Sequence, residues 1–129
     1  MNDSGEGPSK SLYVRLGGYD AIAAIIDNML ALLKADPRFT RFGTGRSTDS
    51  HKRPRQLIVD QICSLAGGPC YYTGRDMKTS HLGLAISEAE WRASIELTSQ
   101  ALQNQGIPEP ARSEFIALFE RYRSEIVEV

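Results

Sequence analysis

The amino-acid sequence predicts an all-α fold, and three observations support that prediction. First, apolar residues recur three or four positions apart, the spacing of one helical face, within 19–34, 54–66, 87–105 and 108–126. Second, no run alternates apolar and polar residues over four or more positions without fitting a helix better. Third, glycine pairs and prolines stand between these segments, where helices commonly end.

Size and charge limit what the chain can be. Its 129 residues and 14.3 kDa correspond to one domain, and an apolar fraction of 41% allows a core that encloses a mid-sized ligand. A formal charge of −1 argues against nucleic acid or an anionic membrane as a partner through bulk charge. We expect a disordered tail over Met1–Lys10 and the domain over 11–129.

The sequence also bears on membranes and targeting. The longest apolar run, Ala21–Ile26, has six residues, whereas a membrane-spanning helix needs roughly twenty. The Met1–Lys10 segment is polar and lacks the hydrophobic stretch of a secretory signal. We therefore expect a cytoplasmic protein without a membrane partner.

The start of the domain predicts a short helix followed by a long one. A helical turn over Ser11–Leu16 leads to a chain reversal at Gly17 and Gly18, because glycine tolerates positive φ. The first long helix then spans Tyr19–Lys34. The glycine-containing segment Phe39–Ser47 predicts a loop with at most one short helical turn.

The second long helix has several candidate N-caps in Thr48–Ser50. Because Pro54 is tolerated best in a first helical turn, we expect the helix to begin close to it. Its buried stripe should contain Ile58, Ile62 and Leu65.

The second half of the domain combines an irregular stretch with two helices. Gly67–Ser80 shows no consistent period of 3.6 or 2. Ser87 and Glu90 have the spacing of a capping box and open the next helix. Proline residues from Pro108 onward start a last helix that runs through Ile126.

Few residues can carry metal or nucleophilic chemistry. Cys63 and Cys70 are separated by six residues, which fits neither a CxxC redox pair nor a zinc knuckle, so we expect two free, buried thiols. His51 and His81 are the only imidazoles, which excludes sites built from three histidines. Phosphate-binding and common hydrolase motifs are absent from the sequence.

His81 stands in an unusual setting. It follows the irregular stretch and is flanked by the apolar residues Leu82, Leu84 and Ile86. On these residues alone, a structural histidine and a metal ligand are both open interpretations.

Two motifs carry a resemblance to a known family. Residues 67–86, GGPCYYTGRDMKTSHLGLAI, and the Leu-Tyr-x-x-Leu-Gly-Gly motif of Leu12–Gly18 closely resemble a group I truncated haemoglobin. The similarity runs from about Ser11 to Val127. It implies a truncated globin-like two-over-two helical sandwich with a long extended segment before the proximal histidine.

The resemblance implies haem b (iron protoporphyrin IX) as cofactor. The histidine of Met-Lys-x-x-His falls on His81, which would bind the iron through Nε2 while Nδ1 donates to a carbonyl or water. Met77 and Lys78 would lie beside the porphyrin, with Lys78 or Arg75 a partner for a propionate. Phe42 matches the aromatic residue that packs on the haem face.

The gas-binding side departs from the family pattern. Leu30 and Ile58 occupy positions that often hold tyrosine and glutamine, and the gate position falls near Pro54. Gln61 is the nearest polar substitute, whereas His51 is an alternative sixth ligand or a surface residue. The predicted site also includes Ile62, Leu84 and Ile86. The cluster Lys52, Arg53 and Arg55 is either a solvated first turn or faces the propionates.

The resemblance implies a globin that reversibly binds O2, NO or CO at ferrous iron. The alternative is a nitric oxide dioxygenase that works with a separate reductase, and an apolar pocket favours the carrier or sensor. A haem-free helical interaction module is the third possibility, and it predicts a colourless protein. We expect a monomer or weak dimer.

Overall fold

The computed structural model describes the backbone of residues 10–42 and 48–129 and the side chains of residues 10–40 and 55–129. In that part the elements are α1 (Leu12–Leu16), α2 (Tyr19–Ala35), a 3-10 helix (Pro37–Phe42), α3 (Thr48–Leu65), α4 (Met77–His81), α5 (Glu88–Asn104), α6 (Ala111–Glu120) and α7 (Arg123–Ile126). An isolated parallel bridge joins Ile86 to Val127, and the described residues contain no strand. The all-α prediction is confirmed. No helix in these ranges has both the length and the apolar character needed to cross a bilayer.

Four helices form the body of the domain in two layers. α2 packs against both α3 and α5, α5 packs against α6, and α1 rests on α6. The space between them is filled by buried apolar side chains, among them Leu16, Ile22, Ile25, Ile26, Val59, Ile62, Leu102 and Phe115. The predicted two-over-two helical sandwich is therefore the fold of the chain.

Local signals start α1 and α5 where the sequence predicts. Ser11 Oγ accepts a hydrogen bond from the Val14 N–H at 3.2 Å and caps α1, and Gly17 reverses the chain with φ 110°. At the start of α5, Ser87 Oγ accepts from the Glu90 N–H at 3.1 Å while Glu90 Oε1 accepts from the Ser87 N–H at 3.0 Å. This is the predicted capping box, and it satisfies backbone donors that a helix start leaves unpaired.

The predicted start of α3 is wrong. The helix begins at Thr48 rather than close to Pro54, so the proline lies beyond the first turn. A proline inside a helix gives up one backbone hydrogen bond. The helix persists because the turns that follow bury Val59, Ile62 and Cys63 in the core, and such packing outweighs local preference.

Three further predictions need correction. Ile58 and Leu65 are half-buried rather than part of the buried stripe. The last helix is divided, since α6 ends at Glu120 and α7 begins at Arg123. The stretch 67–80 is irregular only as far as residue 76, because α4 begins at the next residue.

α3 ends in a Schellman turn that requires glycine. Gly67 has φ 94°, its N–H donates to the Ser64 carbonyl at 3.1 Å, and the Gly68 N–H donates to the Cys63 carbonyl at 2.8 Å. A Cβ on Gly68 would lie 2.3 Å from Cδ1 of Tyr13. Glycine at both positions therefore reverses the chain and lets α1 pack against the turn.

The expectation of two free thiols is also wrong. The structure joins Cys63 and Cys70 in a disulfide. The Schellman turn brings their Cα atoms to 5.8 Å, a usual distance for a disulfide, although the sequence spacing matches no familiar motif. The bond ties the buried end of α3 to the irregular segment that leads to α4.

Breaking this disulfide should lower stability measurably. The cysteines are seven positions apart, and the loop-entropy relation gives about 2.5 kcal/mol for a loop of that size. We expect Cys70→Ser, or reductant added to the parent protein, to lower the free energy of unfolding in urea by that amount. Reductant should have no further effect on the variant. Two titratable thiols in the native, unreduced protein would contradict the bridge.

Candidate functional site

A mostly apolar cavity of about 580 Å³ lies between the two helix layers. Its volume is within the range of about 300–1,000 Å³ that is typical of sites for cofactors and small molecules. Its apolar lining includes Met29, Leu30, Leu33, Phe39, Ile58, Ile62, Met77, Leu84, Ile86, Trp91, Ile95, Leu118, Phe119 and Ile126. The polar lining from the described side chains consists of Lys34, Arg55, Gln61, His81, Glu90, Ser94, Thr98 and Tyr122. Such a lining suits a large, flat, mainly apolar group with a charged edge.

His81 is held in a defined tautomer at the end of α4. Its Nδ1 lies 2.9 Å from the Met77 carbonyl oxygen and 2.9 Å from Ser80 Oγ. Because a carbonyl oxygen can only accept, the bond to Met77 requires the proton on Nδ1. Among the described side chains, Nε2 has no hydrogen-bond partner. In the neutral ring this tautomer leaves the lone pair on Nε2, so His81 presents an oriented Nε2 of the kind that binds metals.

Seven of the predicted site residues come together at this cavity. They are Leu30, Ile58, Ile62, Met77, His81, Leu84 and Ile86. Arg75 and Lys78 are exposed and do not line it. The physical reason lies in helix geometry: Met77 and His81 are four residues apart and share one face of α4, so the next residue, Lys78, lies on another face.

Among the described side chains, the cations that line the cavity are Lys34 and Arg55. Arg55 binds Asp27 on α2 through two parallel hydrogen bonds, with Nε at 2.8 Å from Oδ1 and Nη2 at 2.9 Å from Oδ2. The Arg55 hydrogen bonds lower the pKa of the Asp27 carboxyl below its usual value. Lys34 was missed in the sequence, although it lies four residues after Leu30 and shares its helix face.

α5 supplies a wall whose hydroxyl groups are already engaged. Ser94 Oγ donates to the Trp91 carbonyl at 2.7 Å, and Thr98 Oγ1 donates to the Ser94 carbonyl at 2.8 Å. Trp91 Nε1 donates to Glu120 on α6 at 2.9 Å. These donors serve the helices rather than the cavity. The helical stripe of α5 predicted its buried face, but only tertiary packing shows that this face borders the cavity.

Several predicted features fall outside the described side chains. These are Phe42 on the haem face, the gate at Pro54, the alternative ligand His51 and the cations Lys52 and Arg53. On the described part of the gas-binding side, Leu30 and Ile58 contribute hydrocarbon, and Gln61 contributes an amide.

Comparisons with known proteins agree with this architecture. The model of the bacterial-like globin family matches residues 11–128. A group 1 truncated hemoglobin of Mycolicibacterium paratuberculosis is 29% identical over 106 residues, covering 82% of this chain and 76% of that protein. A group 1 truncated hemoglobin of Tetrahymena pyriformis is 26% identical over 118 residues, covering 92% of this chain and 95% of that protein.

Solved structures show the same fold. Truncated hemoglobin from Tetrahymena pyriformis in the Fe(III) form has a TM-score of 0.83 at 25% identity, covering 93% of this chain and all of that one. The 2/2 hemoglobin from Synechococcus, solved with covalently attached heme, has a TM-score of 0.82 at 21% identity, covering 92% and 98%.

The chain belongs to the bacterial-like globin family, and its predicted resemblance to group I truncated haemoglobins is confirmed. It is accordingly a globin that binds haem and diatomic gases.

Proposed function

We propose that the cavity holds haem b and that His81 Nε2 is the protein ligand to its iron. The observation that carries this proposal is the His81 imidazole, oriented by its Nδ1–H bond to Met77, in the lining of an apolar cavity of about 580 Å³. The iron would supply the open coordination position at which O2, NO or CO binds.

The remaining lining residues would set how a gas is held. Leu30, Ile58 and Ile62 would exclude water without donating a hydrogen bond to the gas. A neutral hydrogen bond is worth about 0.5–1.5 kcal/mol, so its loss speeds dissociation of O2 several-fold. We therefore propose reversible gas binding with fast O2 release, with Gln61 as the nearest described amide.

Lys34 and Arg55 join the predicted Arg75 and Lys78 as candidates for binding the haem propionates. Both line the cavity, and a guanidinium can pair with a carboxylate through two bonds. Arg55 already makes such a pair with Asp27, so it has a fixed position at the cavity edge.

Replacing Arg55 with Gln should speed haem dissociation about fivefold, because a partly exposed ion pair contributes roughly 1 kcal/mol. Transfer of haem to an excess of apomyoglobin measures the rate. Asp27→Asn removes the ion pair between Arg55 and Asp27 but keeps the guanidinium that would bind the propionate. This variant should therefore retain haem better than Arg55→Gln.

The matched control is Arg92→Gln. Arg92 is also ion-paired, to Glu88, but it lies outside the cavity lining. It should release haem at the parent rate. Equal rates in the Arg55 and Arg92 variants would contradict the propionate assignment.

An absorption spectrum tests the proposed function directly. The purified protein, or the protein mixed with haemin, should show a Soret band, and the reduced form should bind CO and O2 reversibly. A colourless protein without a Soret band after haemin is added would contradict the proposal. Sustained NO consumption by the oxygenated protein with a reductant present would contradict reversible binding without turnover.

A further inference from the structure

The loop of residues 82–86, which follows His81, is held by the carboxylate of Glu128, a residue distant from it in the sequence. Glu128 Oε2 accepts from the Gly83 N–H at 3.1 Å, and Oε1 accepts from the Ala85 N–H at 2.7 Å. The Glu128 N–H also donates to the Ile86 carbonyl at 2.8 Å, beside the parallel bridge between Ile86 and Val127. One residue therefore contacts the loop at three successive points.

The loop needs this support because its backbone is strained. Gly83 has φ 85° and Ala85 has φ 54°. Apart from glycines, Ala85 is the one residue of the described backbone with a positive φ. A left-handed conformation is unfavourable for a residue with a Cβ, because the Cβ crowds the carbonyl oxygen that follows it. Two N–H groups directed at one carboxylate offset that cost, since hydrogen bonds to a charged acceptor are the stronger kind.

The residues that bind this carboxylate follow His81 closely in the chain, since Gly83 is two positions and Ala85 four positions after it. The Gly83 and Ala85 hydrogen bonds lower the pKa of the Glu128 carboxyl below its usual value. Leu84 and Ile86, on either side of the strained Ala85, line the cavity together with His81. A change in the loop would therefore move both the ligand and the surface beside it.

We propose that Glu128 is a positioning residue for the proximal histidine. It fixes the loop of residues 82–86, and through the loop it sets the orientation of the His81 ring toward the iron. It also places a negative charge on the proximal side, which stabilises ferric over ferrous iron. This inference rests on the proposed role of His81.

The test compares Glu128→Gln with Glu125→Gln in the haem-loaded protein. Both substitutions remove one negative charge from an exposed carboxylate outside the cavity lining, but Glu125 lies on α7 whereas Glu128 accepts hydrogen bonds from the Gly83 and Ala85 N–H groups. Three readouts are needed: the iron–histidine stretching band in resonance Raman spectra of the ferrous form, the ferric/ferrous midpoint potential, and the rate of haem transfer to apomyoglobin.

Glu128→Gln should shift the iron–histidine band, raise the midpoint potential and release haem about tenfold faster. Glu125→Gln should match the parent in all three. Glu128→Asp keeps the charge but is one methylene shorter. Its midpoint potential should therefore be closer to that of the parent than its iron–histidine band position is. If Glu128→Gln does not retain haem, the result for Glu128→Asp decides.

A parent-like band and potential in Glu128→Gln would overturn the proposal, even if the variant were less stable. If Glu128→Asp has to decide, a parent-like band in that variant would overturn it. A parent protein that shows no iron–histidine band would instead contradict His81 as the ligand. The two failures are therefore distinguishable.

Discussion

Replacing His81 with Gly should weaken haem binding by more than about 100-fold. Removal of a residue that merely orients a metal ligand commonly costs about 10–100-fold in affinity, and loss of the ligand itself should cost more. Among the described lining residues, His81 is the single imidazole. Titration of the variant with haemin, followed by the Soret band, measures the effect.

Two further measurements separate ligation from loss of fold. Added imidazole should restore part of the spectrum of His81→Gly, because the vacated space admits the free ring. His51→Ala, which removes the other histidine of the chain, should leave haem affinity unchanged. Unchanged affinity in His81→Gly, or loss of affinity in the His51 variant alone, would contradict the assignment.

Replacing Phe115 with Ala should lower the free energy of unfolding by about 3–5 kcal/mol, the usual cost of truncating a buried phenylalanine. Phe115 is fully buried in α6, and its ring meets that of Phe119 edge-on at 5.4 Å between centroids. Phe119 in turn lines the cavity. The variant should therefore also release haem faster than the parent.

Urea unfolding of the haem-loaded protein gives the stability difference. Domains of this kind are stable by about 5–15 kcal/mol, so the expected loss is a large share of the total. Val14→Ala is the control, because Val14 is 53% exposed and exposed substitutions change stability by no more than about 0.5 kcal/mol. A loss below about 1 kcal/mol in Phe115→Ala would mean that α6 is not packed as described.

Sequence patterns predicted the elements whose signals are local. The apolar stripe of residues 19–34 gave α2 to within one residue of its end, and the Ser87–Glu90 capping box gave the start of α5. The motif around His81 predicted the ligand position through a family resemblance rather than through periodicity, since a histidine among apolar residues fits many roles.

Features that depend on distant contacts were not predictable in this way. Pro54 signals a helix start, but packing of the following turns extends α3 upstream to Thr48. The Cys63–Cys70 bridge depends on a turn whose two glycines bring the ends together, which spacing alone does not reveal. The position of Arg55 at the cavity edge depends on its ion pair with Asp27 on the neighbouring α2, which the sequence alone does not show.

The engaged hydroxyl groups of Ser94 and Thr98 have a consequence for selectivity among gases. A protein favours oxygen over carbon monoxide chiefly by donating a hydrogen bond to bound oxygen, because the adduct with oxygen is the more polar of the two. The hydroxyl groups of Ser94 and Thr98 already donate to helix carbonyls, so they do not donate to a bound gas. α5 should therefore contribute little to the discrimination between the two gases.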